Sequence, residues 1–401
     1  MKKRIWIVSE FYYPVVISTG YYMIEIAEFL SSKDDLDVHV ITTNAQYNGQ
    51  DKFAYVKNEE RNNVHIKRIK TKNIDKNSFI KRFFRLFISS VLIFWAIIKN
   101  VRSGDEILVV TNPVFLILLM PIVKRIRRVR YTLLVHDIFP ENMAAIGKMK
   151  KTSLMYKILK NRFDRAYKRA DTRISIGRDM AEIIKRKVGD LPHELITNWA
   201  DTSDVFPINK EDTNLFGKLK LKNKFIFQFA GNLGHAQGLD NILMAIDMID
   251  NPDIHFLFIG GGAKYGVINE YCKYHSNVSL VGFQDRSNQN DFLNACDVAI
   301  VTLSDGMYGL GVPSKSYNIM AVGKPIIMIG DSLSEIALCV EEYNLGWVVK
   351  PNDPVALKLV FEKIFNQKEA LSQIQKNARN AAEKVFSKGI ILNKYYQLFK
   401  G

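Results

Sequence analysis

One segment limits the possible folds more than any other. Val298–Leu303 is an apolar run of strand length, and it leads into Gly309-Leu-Gly-Val-Pro-Ser-Lys-Ser-Tyr-Asn-Ile-Met-Ala-Val-Gly-Lys-Pro-Ile-Ile327. Pro313 suits the first position of a helix, because its φ is fixed and that position needs no N–H donor. Ser314 and Lys315 then fall in the first turn, where unpaired N–H groups and the positive helix end favour an anion. Gly323 closes the helix, and Lys324-Pro325 opens a second apolar run, Ile326–Ile329. Strand, loop, phosphate-ready helix start and strand is how a parallel α/β sheet holds a phosphorylated ligand at its strand ends.

The same alternation runs through the whole chain. In the first half, strands are expected at Ile5–Val8, Val38–Thr42, Val64–Ile69, Ile107–Val110, Tyr131–Val135 and Thr172–Ser175. Helices are expected at Met23–Leu30, Leu86–Ile98 and from about Ser153 to Ala170. In the second half, Phe225–Ala230, Ile254–Ile259, Val278–Val281, Val298–Leu303 and Ile326–Ile329 read as strands, with helices at Leu239–Met248 and Ile268–His275. Strands alternating with helices imply doubly wound parallel sheets. A chain of 401 residues exceeds one ordinary core. The polar, non-periodic stretch Leu195–Pro207 reads as the linker between two domains, 1–200 and 201–385.

Charge is concentrated in the first of these. Residues 1–200 carry 36 Lys and Arg against 20 Asp and Glu, a net +16, while the whole chain carries +15. A one-sided basic domain points to a polyanionic partner, nucleic acid or an anionic membrane. No zinc-ligand spacing, recognition helix or aromatic RNA-binding motif supports nucleic acid. Leu86–Ile98 is an uncharged run of 13 residues flanked by Lys81, Arg82, Arg85, Lys99 and Arg102. It is shorter than the roughly 20 residues that span a bilayer. Pro113–Val123 is a second apolar run, followed by Lys124, Arg125, Arg127, Arg128 and Arg130. Apolar runs beside basic clusters fit a domain resting on an anionic membrane, or a buried core helix with a solvated basic face. Cys272, Cys296 and Cys339 are widely spaced and read as free thiols of a reducing cytoplasm. Lys2-Lys3-Arg4 precedes only a short strand, so no leader peptide is expected.

The Val-Pro-Ser-Lys start at Val312–Lys315 and the Ala-Val-Gly-Lys-Pro end at Ala321–Pro325 resemble the donor-binding segment of retaining family-4 glycosyltransferases. The likeness is to the branch that builds bacterial O-antigens and capsules, including N-acetylfucosaminyl-type transferases. Asn198, Asp201 and Phe206 resemble that family's hinge. The resemblance covers nearly the whole chain. It implies the GT-B architecture, two Rossmann-like domains facing across a cleft, with the last helix, about 386–401, packing back on the first.

The resemblance also distributes roles. Gly231-Asn-Leu-Gly-His-Ala-Gln-Gly238 follows a strand and opens a helix, so its backbone N–H groups can approach a phosphate. Where the family usually places Arg and Lys in this loop, the chain has Asn232 and Gln237, which leaves Lys315 as the first candidate for the diphosphate charge. Leu310 and Asn318 stand where the family has two Glu. The amide oxygen of Asn318 would receive the ribose hydroxyls, and backbone groups around Gly309, Gly311 and Val312 would position the sugar. Gly20, with Thr19 beside it, matches a glycine loop under the diphosphate, and Phe283 lies where the nucleobase is expected. Tyr12 and Tyr13 read as a sugar-stacking surface or as rim aromatics.

His136-Asp-Ile-Phe-Pro-Glu141 ends a first-domain strand and resembles the branch's Asp-x-(Tyr/Phe)-Pro-Glu signature. By that likeness Asp137 and Glu141 serve the acceptor and His136 stands near the donor sugar; capping and filling roles are the alternative. Gly260–Gly266 lacks the spacing of a dinucleotide site. Asp35-Leu-Asp37 reads as a solvated turn ahead of a strand, and the family needs no cofactor and no metal for catalysis. The expected activity is therefore metal-independent transfer of a hexosyl or N-acetylhexosaminyl group from a nucleotide sugar, a UDP-sugar first, to a polyprenyl-diphosphate-linked glycan. The expected location is cytoplasmic, at the inner face of the membrane. A sugar-nucleotide 2-epimerase of the same fold, or a non-catalytic scaffold of polysaccharide assembly, are the other readings.

Overall fold

The computed structural model describes residues 2–15, 18–45, 55–71 and 79–400; the side chains of Phe79, Ile80 and Arg82 lie outside that description. Met1–Thr197 with Ile391–Gly401 form one compact unit, and Asn198–Ile390 form the other.

The first unit is built on an eight-stranded sheet. Its strands are β1 (Lys3–Val8), β2 (Leu36–Thr43), β3 (Asn58–Arg61), β4 (Val64–Ile69), β5 (Glu106–Val110), β6 (Arg130–Val135), β7 (Thr172–Ser175) and β8 (His193–Leu195). They lie in the order β3-β4-β2-β1-β5-β6-β7-β8, parallel except for the β3–β4 hairpin at the edge. Central strands read as unbroken apolar runs, since helices cover both faces; Ile107–Val110 and Leu133–Val135 are fully buried. The terminal helix Lys388–Phe399 buries Ile391, Leu392, Tyr395 and Phe399. The Tyr396 hydroxyl meets the Asp35 carboxylate at 3.3 Å.

The second unit holds six parallel strands: β9 (Phe225–Asn232), β10 (Ile254–Gly261), β11 (Val278–Val281), β12 (Val298–Thr302), β13 (Ile326–Ile329) and β14 (Gly346–Val349). Their order is β11-β10-β9-β12-β13-β14. Phe227, Phe256 and Phe361 pack ring on ring at its centre, with Leu239, Ile242 and Ile246 from the helix Leu239–Ile246.

The structure corrects several sequence expectations. Leu195–Pro207 is less a free linker than a stitched segment. Asn198, Trp199, Ala200 and Asp201 are buried, and Arg379 donates to the carbonyls of Thr202 and Val205 at 3.2 and 3.1 Å. Asn294 and Asn290 hold Phe206 and Ile208 through further backbone contacts. Asp37 lies inside β2 rather than in a turn ahead of it.

The apolar run Leu86–Ile98 is the middle of a 22-residue helix, Phe79–Asn100. Its flanking cations interrupt the uncharged run without ending the helix, so the element is long and apolar enough, by length and composition, to cross a membrane. Its orientation excludes the buried-core reading. Ser89, Ser90, Ile93 and Ile97 face inward, while Phe83, Phe84, Phe87, Ile88 and Trp95 face out, Trp95 being 62% exposed. Arg85, expected as a flanking surface cation, turns in to the buried Glu10 carboxylate at 2.5 Å.

Candidate functional site

In the second unit, β9 is the first strand in the chain and β12 the fourth, and they are neighbours. Chain connections from these two strands run to opposite sides of the sheet. The crevice beyond their carboxyl ends is the topological switch point, where doubly wound sheets bind ligands.

Two loops meet there. The turn His235–Gln237 presents three successive carbonyls, and the end of β12 takes all of them. The Ser304 hydroxyl donates to His235 at 3.0 Å, the Ser304 N–H to Ala236 at 2.8 Å and the Thr302 hydroxyl to Gln237 at 2.7 Å. Gly238 follows with φ +56 and opens the helix Leu239–Ile246. Gly231 and Asn232, expected in the loop, are instead the last residues of β9. Tight packing explains the glycines beside them: a Cβ on Gly260 would sit 1.9 Å from the Gly231 carbonyl oxygen, at φ +139. Gly260 and Gly262 therefore serve the close approach of this segment to Gly231 and Leu233. Asn232 and Gln237 converge on Gly234, where a Cβ would lie 2.8 Å from Asn232 Nδ2 and 2.9 Å from Gln237 Oε1.

The segment after β12 differs in detail from its expected form. Its helix is Lys315–Ala321 with Ser314 as the preceding residue, so Pro313 stands before the first turn rather than within it. Gly311, Val312 and Pro313 form the half-buried approach, after Gly309 at φ +66. Lys315 keeps exposed surface, yet dehydration by surrounding protein pushes its ammonium down to about 8, and the Arg286 guanidinium acts the same way. Arg286 is thus a second cation near this helix start, which sequence reading missed because its turn, Arg286–Asn288, carries no phosphate motif. Gln237 Oε1 and Ser316 Oγ are buried with no hydrogen-bond partner among the described residues. Phe283 is exposed after β11.

Asn318 does not stand ready for a ribose. It is buried, and its Oδ1 accepts the Asp201 N–H at 3.0 Å. Leu310 is buried as well. The two positions that carry Glu in the resembling family here serve packing and the anchoring of the Asn198–Phe206 segment.

The first unit repeats the switch-point geometry between β1 and β5, where Glu10 N–H bonds to the Asn112 carbonyl at 3.2 Å. Glu10 is fully buried and receives Arg85 and, at 3.3 Å, the Ser89 hydroxyl. Thr19 and Gly20 lie in the first turn of the helix Ser18–Ser31 rather than in a loop. Gly20 is obligatory there, because a Cβ would meet the Val15 carbonyl oxygen at 2.3 Å. Tyr12 is buried, and Tyr13 stacks under the Arg61 guanidinium at 3.8 Å, so neither offers a free sugar platform.

His136 and Asp137 follow β6, and the Thr111 hydroxyl accepts both their N–H groups at 3.1 and 3.3 Å. The His136 ring meets Tyr22 edge-on, and dehydration pushes its pKa down to about 4, so it is neutral at pH 7. Asp137 is exposed. Glu141 is not: its Oε1 receives Lys187 at 2.6 Å and Lys160 at 3.3 Å, and Lys187 also reaches Asp164 at 2.6 Å. A carboxylate engaged by two ammonium groups holds this loop in place.

Comparison with known proteins decides the family. Residues 211–381 match the family model described as "Glycosyl transferases group 1". The "Probable glycosyltransferase WbjE" of Pseudomonas aeruginosa is 37% identical over 328 residues, covering 80% of each chain. The chain belongs to the group 1 glycosyltransferases. A second relative, the candidate colanic acid biosynthesis glycosyl transferase WcaI of Escherichia coli (strain K12), is 24% identical over 97% of this chain and 98% of its own. Among solved structures, HepE of Anabaena in complex with UDP-glucose superposes with a TM-score of 0.73 at 14% identity, covering 98% of both chains. The fold class is that of GT-B glycosyltransferases, two parallel-sheet α/β domains. As a group 1 glycosyltransferase, the chain has loops at the β9–β12 switch point and no carboxylate at Leu310 or Asn318.

Proposed function

We propose that this group 1 glycosyltransferase moves a sugar, hexosyl or N-acetylhexosaminyl, from a UDP-sugar to a polyprenyl-diphosphate-linked glycan in bacterial surface-polysaccharide assembly. The observation that carries the reading is the β9–β12 switch point, where the turn His235–Gln237 is pinned to the end of β12 and the helix that starts at Lys315 follows that strand in the chain. HepE binds UDP-glucose in this fold, and WcaI is a colanic acid biosynthesis candidate; both favour a nucleotide sugar and a polysaccharide product.

The second unit supplies the donor side. Lys315, with Arg286 near it, offsets the diphosphate charge that grows as the glycosidic bond breaks. Backbone N–H groups of Gly234–Gly238 and of Gly311, Val312 and Ser314 position the diphosphate and the sugar. Phe283 offers its exposed ring to the base, and Ser316 and Gln237 offer polar atoms with no partner in the protein. The first unit supplies the acceptor side. Neutral His136 lies near the sugar, and Asp137 orients the acceptor hydroxyl. That hydroxyl oxygen attacks the anomeric carbon from the donor's own face, the bond to the diphosphate breaks, and the proton leaves to Asp137 or the departing phosphate. No cofactor and no metal ion takes part in this chemistry.

We place the protein on the inner face of the cytoplasmic membrane. Three adjacent helices of the first unit turn apolar side chains outward: Phe84 and Trp95 from Phe79–Asn100, Ile122 and Ile126 from Leu116–Arg127, and Leu154, Met155 and Ile158 from Leu154–Arg169. Exposed Lys81, Lys99, Arg125, Arg128, Lys157 and Arg162 accompany them, which fits anionic headgroups around an inserted apolar face. Lys124 belongs to the fold instead, bound to Asp171 at 2.6 Å.

The test is calorimetric titration of the pure protein with UDP, GDP, ADP, CMP, dTDP and NAD, followed by turnover of UDP-sugars. Binding of UDP that is lost in Lys315→Ala supports the reading. Binding of another nucleotide changes the donor, and binding without any turnover favours the scaffold.

A further inference from the structure

We propose that Asp37, His39 and His65 form a binding site for a divalent transition-metal ion of the Zn2+ class on the N-terminal edge of the first sheet. The site is independent of the transfer chemistry, which belongs to the opposite, carboxyl ends of the strands.

Strand register brings the residues together. Asp37 and His39 are two apart in β2, so they share a face of the sheet. His65 of β4 is the direct partner of His39, and Glu60 of β3 is the direct partner of His65. On the other side Trp6 of β1 pairs with His39. One row across four strands therefore reads Trp6, His39, His65, Glu60, with Asp37 beside it. The row lines a shallow recess at the sheet edge.

The distances suit a metal. His39 Nε2 lies 3.0 Å and His65 Nε2 4.0 Å from Asp37 Oδ1. All three ligand atoms fall within 4.8 Å of one another. A tetrahedral zinc ion with bonds of about 2.0–2.2 Å needs ligand atoms about 3.3 Å apart, between the two observed separations. Two imidazoles and one carboxylate suit Zn2+ and its neighbours better than Mg2+ or Ca2+, which take oxygen ligands.

The surrounding residues orient the ligands as metal sites require. Glu60 Oε2 lies 3.5 Å from His65 Nδ1, on the other ring nitrogen from the Nε2 that faces Asp37. The His39 ring stacks on Trp6 at 4.6 Å, and Trp6 is itself held by the Asp105 carboxylate at 2.9 Å. Arg4 occupies the other Asp37 oxygen, Oδ2, at 2.8 Å, leaving Oδ1 to face the imidazoles. Lys67, next on the same face, is engaged by Asn100. An ion here would tie the β3–β4 hairpin to β2, with at least one position left for water.

The experiment uses untagged, full-length protein stripped with chelator. Zn2+ alone is titrated calorimetrically, and Co2+ is followed by its visible d–d band. One site per chain is expected, with a rise in thermal midpoint. His65→Gln and Asp37→Asn should each weaken binding about tenfold or more, and Glu60→Gln should weaken it less. Circular dichroism of each metal-free variant separates lost ligation from lost folding. The double variant His39→Gln/His65→Gln covers the case in which one ligand is replaced by water. The proposal falls if the parent protein binds no Zn2+, if the folded double variant binds it equally well, or if the Co2+ spectrum carries a thiolate charge-transfer band, which would assign the ion to Cys272.

Discussion

Lys315 is the cation proposed for the donor diphosphate, and dehydration sets its behaviour. With its pKa lowered to about 8, the folded protein holds this proton less tightly than an unfolded chain does. Stability contributed at this residue is therefore reduced below about pH 8 and recovers as pH rises toward the unfolded value near 10.5. A bound diphosphate reverses the preference, so nucleotide binding near pH 8.5 should take up a proton. Calorimetry in two buffers of different ionisation enthalpy measures that uptake, and Lys315→Ala should abolish it. His136 behaves alike at acid pH. Its pKa near 4 lies below the ordinary 6.5, so stability is present above that window and lost as pH falls through it. His255, also near 4, contributes to the same limb. Replacing both histidines with Gln should flatten the acid limb of urea-unfolding free energy between those pH values. Asn318 was legible in the sequence only as a substitution in a family pattern. Its bond to Asp201 joins residues 117 apart, which no local pattern reveals. Asn318→Ala strands a buried N–H and should cost about 1–3 kcal/mol in chemical denaturation. Asn318→Glu buries a charge and should destabilise the protein too, rather than tighten nucleotide binding.

The elements show where periodicity is sufficient and where it fails. Ile326–Ile329 has the predicted bounds because a parallel sheet buries both faces of the strand, and Val64–Ile69 has them by alternation, with Val64, Ile66 and Arg68 buried and His65 exposed. β3 was missed, since Asn58–Arg61 is polar throughout and its two-residue turn is Asn62-Asn63. Both turn residues have positive φ, 48 and 60, the primed turn geometry that Asn tolerates. The helix Phe79–Asn100 is amphipathic in an inverted sense: Ser89 and Ser90 face in, while Phe83, Phe84 and Phe87 face out. Sequence alone cannot orient such a helix, because its buried side is chosen by Glu10 and Arg85 across 75 residues. Phe84→Ser with Phe87→Ser should weaken binding to anionic vesicles by at least about tenfold, as two large apolar side chains leave the interface. Thermal unfolding should barely change, because both residues are exposed. In contrast, Gly260→Ala should cost about 2–4 kcal/mol in chemical denaturation, through strain at φ +139 and the clash with Gly231.

At the scale of the molecule, charge and fold divide along the chain. The excess of Lys and Arg falls within residues 1–200, the part that also carries the outward apolar helices. Vesicle binding should therefore weaken with added salt and survive in part, since screening removes the headgroup attraction and leaves the apolar contribution. Co-sedimentation across a salt series measures both parts. The sequence by itself determined the α/β class, the two sheets and the loops after β9, β12 and β6. Those features follow from local properties: strand-length apolar runs, helix periodicity, and Gly and Pro at turns. The tertiary structure alone decided which polar groups are spent. Glu141 is bound to Lys160 and Lys187, Asn318 to Asp201, Arg85 to Glu10 and Lys124 to Asp171, while Arg286 joins Lys315. It also decided the row that sets His39 beside His65, a register between strands 26 positions apart. The physical reason is the same for each. Backbone conformation depends on near neighbours, whereas the fate of a charge or a lone pair depends on whatever group folding brings within about 3 Å.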